Sequence, residues 1–237
     1  MMHFNWVLLC FMMTGILMSS SIAADIKSEV AVLDKYEGTV KHLPDGAVKG
    51  IKVRRNKLVL KVNDGLQTKR KSKAFLSLVD GSKIILTERS HIHFDGLSKV
   101  STTEGRVLFH IQKKGGLKGF EIATGTAVIG VKGTKFLVDS QGDKLNVYMN
   151  EGVVSVEATK GQFKRYKQKQ IDEFDAFQKG LTNEFEEYKK NLEEEFVEFV
   201  KSFDVKAGSA ISIDGDELRE VNVPDDVKEL FELFNLK

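Results

Sequence analysis

One cysteine serves the whole 237-residue chain, and Cys10 lies inside an N-terminal apolar run rather than in the body of the sequence. If that run is removed, the remainder can form no disulfide, no thiolate metal site and no cysteine nucleophile. Proline is almost as scarce: Pro44 and Pro224 are the only two, and neither interrupts an apolar run. A second long apolar segment is missing too, so the body of the chain is expected to be soluble. Neither a G-x-S-x-G elbow nor a P-loop is present; the glycine-rich stretch Lys113 to Gly119 lacks the spacing and precedes a strand-like run.

What the N-terminus does contain is Phe4 to Met18 without a charge, then Ser19, Ser20 and Ser21, then Ile22-Ala23-Ala24 before Asp25. An apolar core followed by small residues is the pattern of a signal peptide cleaved after Ala23 or Ala24. The run is shorter than the roughly 20 residues a membrane span needs, although the missing Lys or Arg near Met1 keeps a retained anchor as the rival. The location expected is periplasmic or secreted. Charge is uneven: residues 25–160 carry 24 basic against 15 acidic side chains, and residues 161–237 carry 12 against 19. The halves can attract each other, or the basic half can meet an anionic envelope component; nucleic acid is not expected as a partner outside the cytoplasm.

Short alternating runs fill residues 29–158. Val107, Phe109 and Ile111 fall on one face of a strand, as do Leu145, Val147 and Met149, with Asn146 and Tyr148 turned the other way. Acid-glycine pairs punctuate these runs at Asp45-Gly46, Asp64-Gly65, Asp80-Gly81 and Asp95-Gly96, and at Glu37-Gly38, Glu104-Gly105 and Glu151-Gly152. All read as tight turns, because glycine supplies the positive φ they need. Spacing alone fits a sandwich, a barrel or a solenoid.

Two blocks narrow the choice. Residues 62–68 and 74–90, containing Asp80-Gly81-Ser82, and the block Ala123 to Val138, containing Gly130-Val131-Lys132-Gly133-Thr134, resemble the FecR domain, whose second block reads "T-x-x-A-x-x-(G/A)-V-(R/K)-G-T-x-F-x-V". The resemblance runs from about Ala31 to Glu157 and implies a twisted, solenoid-like all-β fold. The founding members of that family are inner-membrane anti-sigma regulators whose periplasmic part contacts an outer-membrane receptor. Only a signal peptide is expected before the β domain here, so the resemblance implies a recognition module without their sigma-binding part. The motif residues Asp80, Gly81, Ser82, Gly130, Gly133 and Thr134 read as structural: a side-chain-closed turn, close strand packing, and a hydroxyl bonding to neighbouring backbone.

The most regular feature is an eleven-residue repeat from Asp172 to Asp204, DEFDAFQKGLT, NEFEEYKKNLE and EEFVEFVKSFD. Its large apolar residues are Phe174, Phe177, Leu181, Phe185, Tyr188, Leu192, Phe196, Phe199 and Phe203, with a partial copy at Phe163 and Tyr166. Eleven residues over three turns keep a stripe on one side of a helix, so the spacing predicts a long amphipathic helix, or a helical hairpin broken near Gly180. The stripe suits a coiled-coil seam, a lipid interface or a hydrophobic groove. Beyond it, Ala210 to Val223 reads as a hairpin around Asp214-Gly215, and Pro224 opens a short helix with Val227, Leu230, Phe231 and Phe234 on one face.

No catalytic constellation emerges. His91 and His93 share a strand face but lack a nameable third metal ligand, and the carboxylates of the repeat read as a solvated face. The expectation is therefore a non-enzymatic chain without metal or cofactor: signal peptide 1–24, FecR-like β domain 25–160, helical insertion 161–204, and hairpin plus short helix 205–237. Its role is recognition or signalling through a protein partner or self-association along the stripe. Adhesion to anionic lipid or glycan is the alternative.

Overall fold

The computed structural model describes residues 28–113, 119–166 and 197–235. In chain order its strands are β1 (Glu29–Glu37), β2 (Val40–Leu43), β3 (Ile51–Lys52), β4 (Leu58–Lys61), β5 (Gly65–Thr68), β6 (Lys73–Leu78), β7 (Lys83–Leu86), β8 (His91–Gly96), β9 (Lys99–Ile111) and β10 (Phe120–Ala123). They continue as β11 (Ala127–Val131), β12 (Thr134–Gln141), β13 (Lys144–Glu151), β14 (Val153–Ala158), β15 (Phe163–Tyr166), β16 (Val197–Val200), β17 (Ser202–Lys206), β18 (Ala210–Asp214) and β19 (Glu217–Val221). Helix α1 (Asp225–Leu230) and a 3-10 turn (Phe231–Asn235) follow.

Hydrogen bonding arranges the strands in two layers. One runs β4-β1-β6-β7-β9-β12-β13-β18-β19-β15-β16, and the other β3-β2-β5-β8-β9-β10-β11-β14-β17. The long strand β9 belongs to both: Lys99 to Glu104 pairs with β8, and Glu104 to Ile111 pairs with β12. The inner faces meet in one core, in which Phe109 of the first layer stacks on Phe136 at 5.3 Å between ring centres and lies 6.5 Å from Phe120 of the second.

The layers are joined at corners where two neighbouring strands cross together. β1 passes to β2 through Gly38 beside Lys71-Ser72, β9 bends at Gly105 beside Arg89-Ser90, and β13 passes to β14 through Gly152 beside Gly133-Thr134. At Gly105, φ is +89°, and an added Cβ would lie 2.5 Å from the Arg89 carbonyl oxygen. The three Glu-Gly pairs, expected as tight turns, are therefore corners within ribbons, and each glycine does take a positive φ. A true turn does form at Asp80-Gly81, where Gly81 N–H donates to the Leu78 carbonyl at 3.0 Å.

Two expectations about architecture are overturned. The fold is not a closed solenoid: successive rungs of a solenoid pair in parallel, whereas every strand pairing here except β9–β10 and β15–β19 is antiparallel. Nor is there a long amphipathic helix among the described residues. Where the repeat enters the described structure it is β: Phe163 and Tyr166 lie on β15, Phe199 on β16 and Phe203 on β17. Pairing of β17 with β14 and of β16 with β15 outweighs the local three-four spacing, and the density of Val197, Phe199, Val200, Phe203 and Val205 suits a pleated surface. Phe174, Phe177, Leu181, Phe185, Tyr188, Leu192 and Phe196 lie outside the described residues.

Candidate interaction surfaces

The outer face of the first layer carries a single apolar ladder. Phe75, Ile85, Leu108, Leu137, Tyr148 and Ala210 stand opposite one another in register across six strands. Polar rows flank it, with Lys83, His110 and Lys135 on one side and Arg106, Asp139 and Asn146 on the other. An exposed ladder of this kind would be an aggregation hazard, but the C-terminal segment covers it: Val227 and Phe231 are buried against it, with Val223, Leu230, Leu233 and Phe234 packed around them. Arg106 ties the cover down, donating from Nε to Asp139 at 3.0 Å and from Nη1 to Asp226 at 2.8 Å. Burial works against the guanidinium charge, but these two carboxylates hold its pKa above the usual value. Tyr148, taken from sequence as an outward residue, is buried under this cover; burial, helped by the Asp139 charge, pushes its phenol pKa up.

Beside the cover a cleft of about 1150 Å³ opens along the corners, lined among others by Lys71, Lys73, Glu88, Arg89, Glu104 and Arg106. Its charges are balanced and several of its polar groups are already engaged: Glu88 accepts the Lys71 N–H at 2.6 Å, and the Thr87 hydroxyl donates to the Arg106 carbonyl at 3.0 Å. No nucleophile in the cleft stands hydrogen-bonded to a base among the described residues.

The histidines are separated by use. On β8, His93 Nδ1 pairs with Asp95 at 2.7 Å, while His91 is half-buried and its pKa is lowered first by burial and then by the neighbouring His93. His110 on β9 lies edge-on to the Phe234 ring at 5.6 Å, and burial plus the Lys135 charge lower its pKa as well. Both groups stay neutral in the fold at a pH where the unfolded chain, with a value near 6.5, binds protons. Stability therefore rises with pH from the lowered values up through about 6.5, and acidification from about pH 7.5 to 5.5 is expected to reduce the urea midpoint. The His91→Gln, His110→Gln double variant should flatten that response; a wild-type midpoint that is unchanged or rises on acidification contradicts the assignment. Among the described residues, no three His, Cys, Asp or Glu side chains are grouped to hold a metal.

The motif residues fall in two places. Asp80 Oδ1 accepts the Ser82 N–H at 2.9 Å, and the buried Ser82 hydroxyl accepts the Gln112 N–H at 3.0 Å, locking the β6–β7 turn to the end of β9. Gly130 faces outward on β11, where an added Cβ would find only the Ser155 carbonyl at 3.8 Å, so close packing is not what it provides. Gly133 has φ +66° and leaves room for Lys113. Thr134 occupies the corner position of Ser72 and Ser90, but it sets its Cγ2 methyl against Gly152 where the serines set their hydroxyls against Gly38 and Gly105. The two serine hydroxyls make bonds, Ser72 Oγ accepting the Thr39 N–H at 2.8 Å and Ser90 Oγ donating to the Arg106 carbonyl at 3.0 Å. Thr134 Oγ1 is buried with no partner among the described residues, and the backbone bond expected of it is not made. Thr134→Val is accordingly expected to stabilise the fold by about 1 kcal/mol and Ser90→Ala to destabilise it by a similar amount. Opposite shifts of the thermal midpoint check this; a loss in both would mean that the Thr134 hydroxyl is satisfied.

The two ends of the layers differ. At one end, β3 and β4 are bordered by cations. At the other, β16 pairs with β15 and has no second strand beside it among the described residues, and Phe199 there is 60% exposed. Phe203, on the next strand, turns inward and meets Phe163 edge-on at 5.9 Å. The predicted stripe is thus divided in the described part, one ring packed and one presented to solvent.

Comparison with known proteins agrees with the sequence blocks. Two crystal structures of a candidate anti-sigma factor from Parabacteroides distasonis, at 1.65 Å and 2.50 Å resolution, superpose with a TM-score of 0.48 and 13% identity. The alignments cover 72% of this chain and 64% and 63% of the solved chains, so this chain spans less than two thirds of their length. No curated protein matches significantly. Residues 64–155 match the profile of the FecR protein family, a span that opens at the buried Asp64 before β5, includes the first motif block from that residue on and the whole second block, and closes in β14. Over those residues, less than half of its length, the chain is similar to the FecR protein family, which is consistent with a FecR-domain protein.

Proposed function

We propose that this FecR-domain chain is a signalling or regulatory module that holds a protein partner by strand addition at β16. The similarity of residues 64–155 to the FecR family supports a regulatory role. The observation that carries the mode of binding is the β16 edge, which among the described residues has a strand on one side only and presents the exposed Phe199. An added strand gains affinity from main-chain hydrogen bonds and specificity from such side chains. Proline and a run of like charge, the usual devices that blunt an edge, are both missing from Val197–Val200. A second copy of the chain and a different protein are both partners this edge can take.

Phe199→Asp in the full chain tests the proposal. The side chain is exposed, so the unfolding midpoint should not move, while partner capture or self-association, followed by light scattering after size exclusion, should weaken about thirtyfold, as for a central aromatic contact. Unchanged capture together with unchanged mass would remove β16 as the binding edge. We also infer that the module acts outside the cytoplasm. Intact-mass measurement of the chain recovered from the cell envelope should place its first residue at Ala24 or Asp25; a chain still carrying Phe4 to Met18 would favour the retained anchor.

A further inference from the structure

We infer that the opposite end of the sandwich, residues 48–57 around β3, is a docking surface for a lipid bilayer bearing anionic headgroups. This segment contains Lys49, Lys52, Arg54, Arg55 and Lys57 and no acidic residue. Lys57 is taken by Asp34 at 2.6 Å, whereas Lys49, Lys52, Arg54 and Arg55 are exposed and make no ion pair among the described residues. Two nearby carboxylates are already engaged: buried Asp64 accepts from His42 Nε2 at 2.9 Å and from two backbone N–H groups, and Asp34 holds Lys57 and the Ser77 hydroxyl.

The segment also presents aliphatic side chains. Val48 is 95% and Ile51 is 62% exposed, and a soluble polyanion has no use for either. A bilayer interface has a use for both, since headgroup phosphates meet the cations while the aliphatic tips enter the acyl boundary. The presentation is rigid. Val53 is buried and its N–H donates to the Val40 carbonyl at 2.9 Å, the Tyr36 hydroxyl donates to the Val53 carbonyl at 3.2 Å, and Gly50 leaves room for Lys41 and Leu43. The chain is thus pinned between its exposed residues, and little ordering is left to be done on binding. This surface lies at the end of the layers away from β16, so it would leave the partner edge free, and it stands independently of the strand-addition proposal.

The test is co-sedimentation of the full chain with phosphatidylcholine vesicles, with and without phosphatidylglycerol, the difference between the two being the readout. Each cation near such a surface contributes about fivefold in affinity. Arg54→Glu, Arg55→Glu should therefore lower the phosphatidylglycerol-dependent binding at least 25-fold on that scale, and raising salt from about 0.05 to 0.5 M should nearly abolish it. Val48→Ser, Ile51→Ser should lower it roughly tenfold with all charges kept. All four side chains are exposed, so unchanged unfolding midpoints serve as the control, with Lys49→Glu, Lys52→Glu as the substitute pair if one shifts. Binding within twofold of wild type in the charge variant overturns the proposal. So does a charge variant that loses binding while the aliphatic variant keeps it and heparin competes fully, which would make the surface a polyanion site.

Discussion

Gly105→Ala is expected to remove a large share of the fold's stability, a cost on the order of 3–5 kcal/mol against a total of roughly 5–15 kcal/mol for a domain of this kind. Two effects add. The backbone at Gly105 has φ +89°, which alone costs an alanine about 1–2 kcal/mol. The new methyl would also lie 2.5 Å from the Arg89 carbonyl oxygen and against Ser90, and neither is the free end of a flexible side chain. Relief requires the two crossing strands to separate, yet Gly105 pairs with Ser140 on one side and its neighbour Arg106 accepts from Thr87 N–H at 3.0 Å on the other. Gly142→Ala is the matched control: φ is +62°, but nothing lies within 4 Å of an added Cβ, so the cost should stay near the conformational term alone. Equal losses in the two variants, measured by urea unfolding, would show that the corner is not as tightly closed as the geometry requires.

That corner also marks what the sequence does and does not disclose. Glu104-Gly105 and Asp214-Gly215 look alike on paper. The second joins β18 to β19 in a hairpin with Gly215 at φ +62°, whereas the first bends a single strand between layers. The difference lies in what stands beside each glycine, Arg89-Ser90 in one case and solvent in the other, and neighbours sixteen residues away are not written in a dipeptide. Alternation was more informative. Val107, Phe109 and Ile111, like Leu145, Val147 and Met149, all point into the core, because burial of one face imposes a period of two. The same rule turns Tyr148 outward, correctly for the strand, but cannot say that Val227 of the C-terminal helix and Phe231 of the 3-10 turn after it cover that face.

The repeat shows the opposite failure. Steps of three and four place Phe199 and Phe203 on one side of a helix, yet VEFV and SFDVK also satisfy strand patterning, and the long-range pairing with β14 and β15 decides between them. The spacing therefore marks Phe199 as an interaction residue on a helix, whereas the structure places it on a strand. Five cations without an acid in ten residues are visible in segment 48–57, but the sequence alone gives them no role. Exposure of Val48 and Ile51, which gives those charges a meaning, comes only from their place at the border of a layer.

Leu137→Ala is expected to cost about 2–5 kcal/mol and Phe231→Ala about 3–5 kcal/mol. The two residues belong to the same small cluster, outside the main core: Leu137 is fully buried on β12 between Leu108 and Tyr148, and Phe231 enters from the C-terminal segment. If the segment is held chiefly by this contact, removing Phe231 already loosens the lid over Leu137, and the double variant should cost less than the two separate losses together by about 1 kcal/mol or more. Phe136→Ala provides the contrast. Its ring points to the opposite face of the same strand and stacks on Phe109 in the main core, so its loss should add to that of Phe231 within about 0.5 kcal/mol. Coupling of Phe231 to Leu137 but not to Phe136, read from urea midpoints at a constant m-value, would fix the C-terminal helix on the ladder. Additivity in both cycles would mean that the helix spends much of its time off the sheet, with the ladder then available as a further apolar surface.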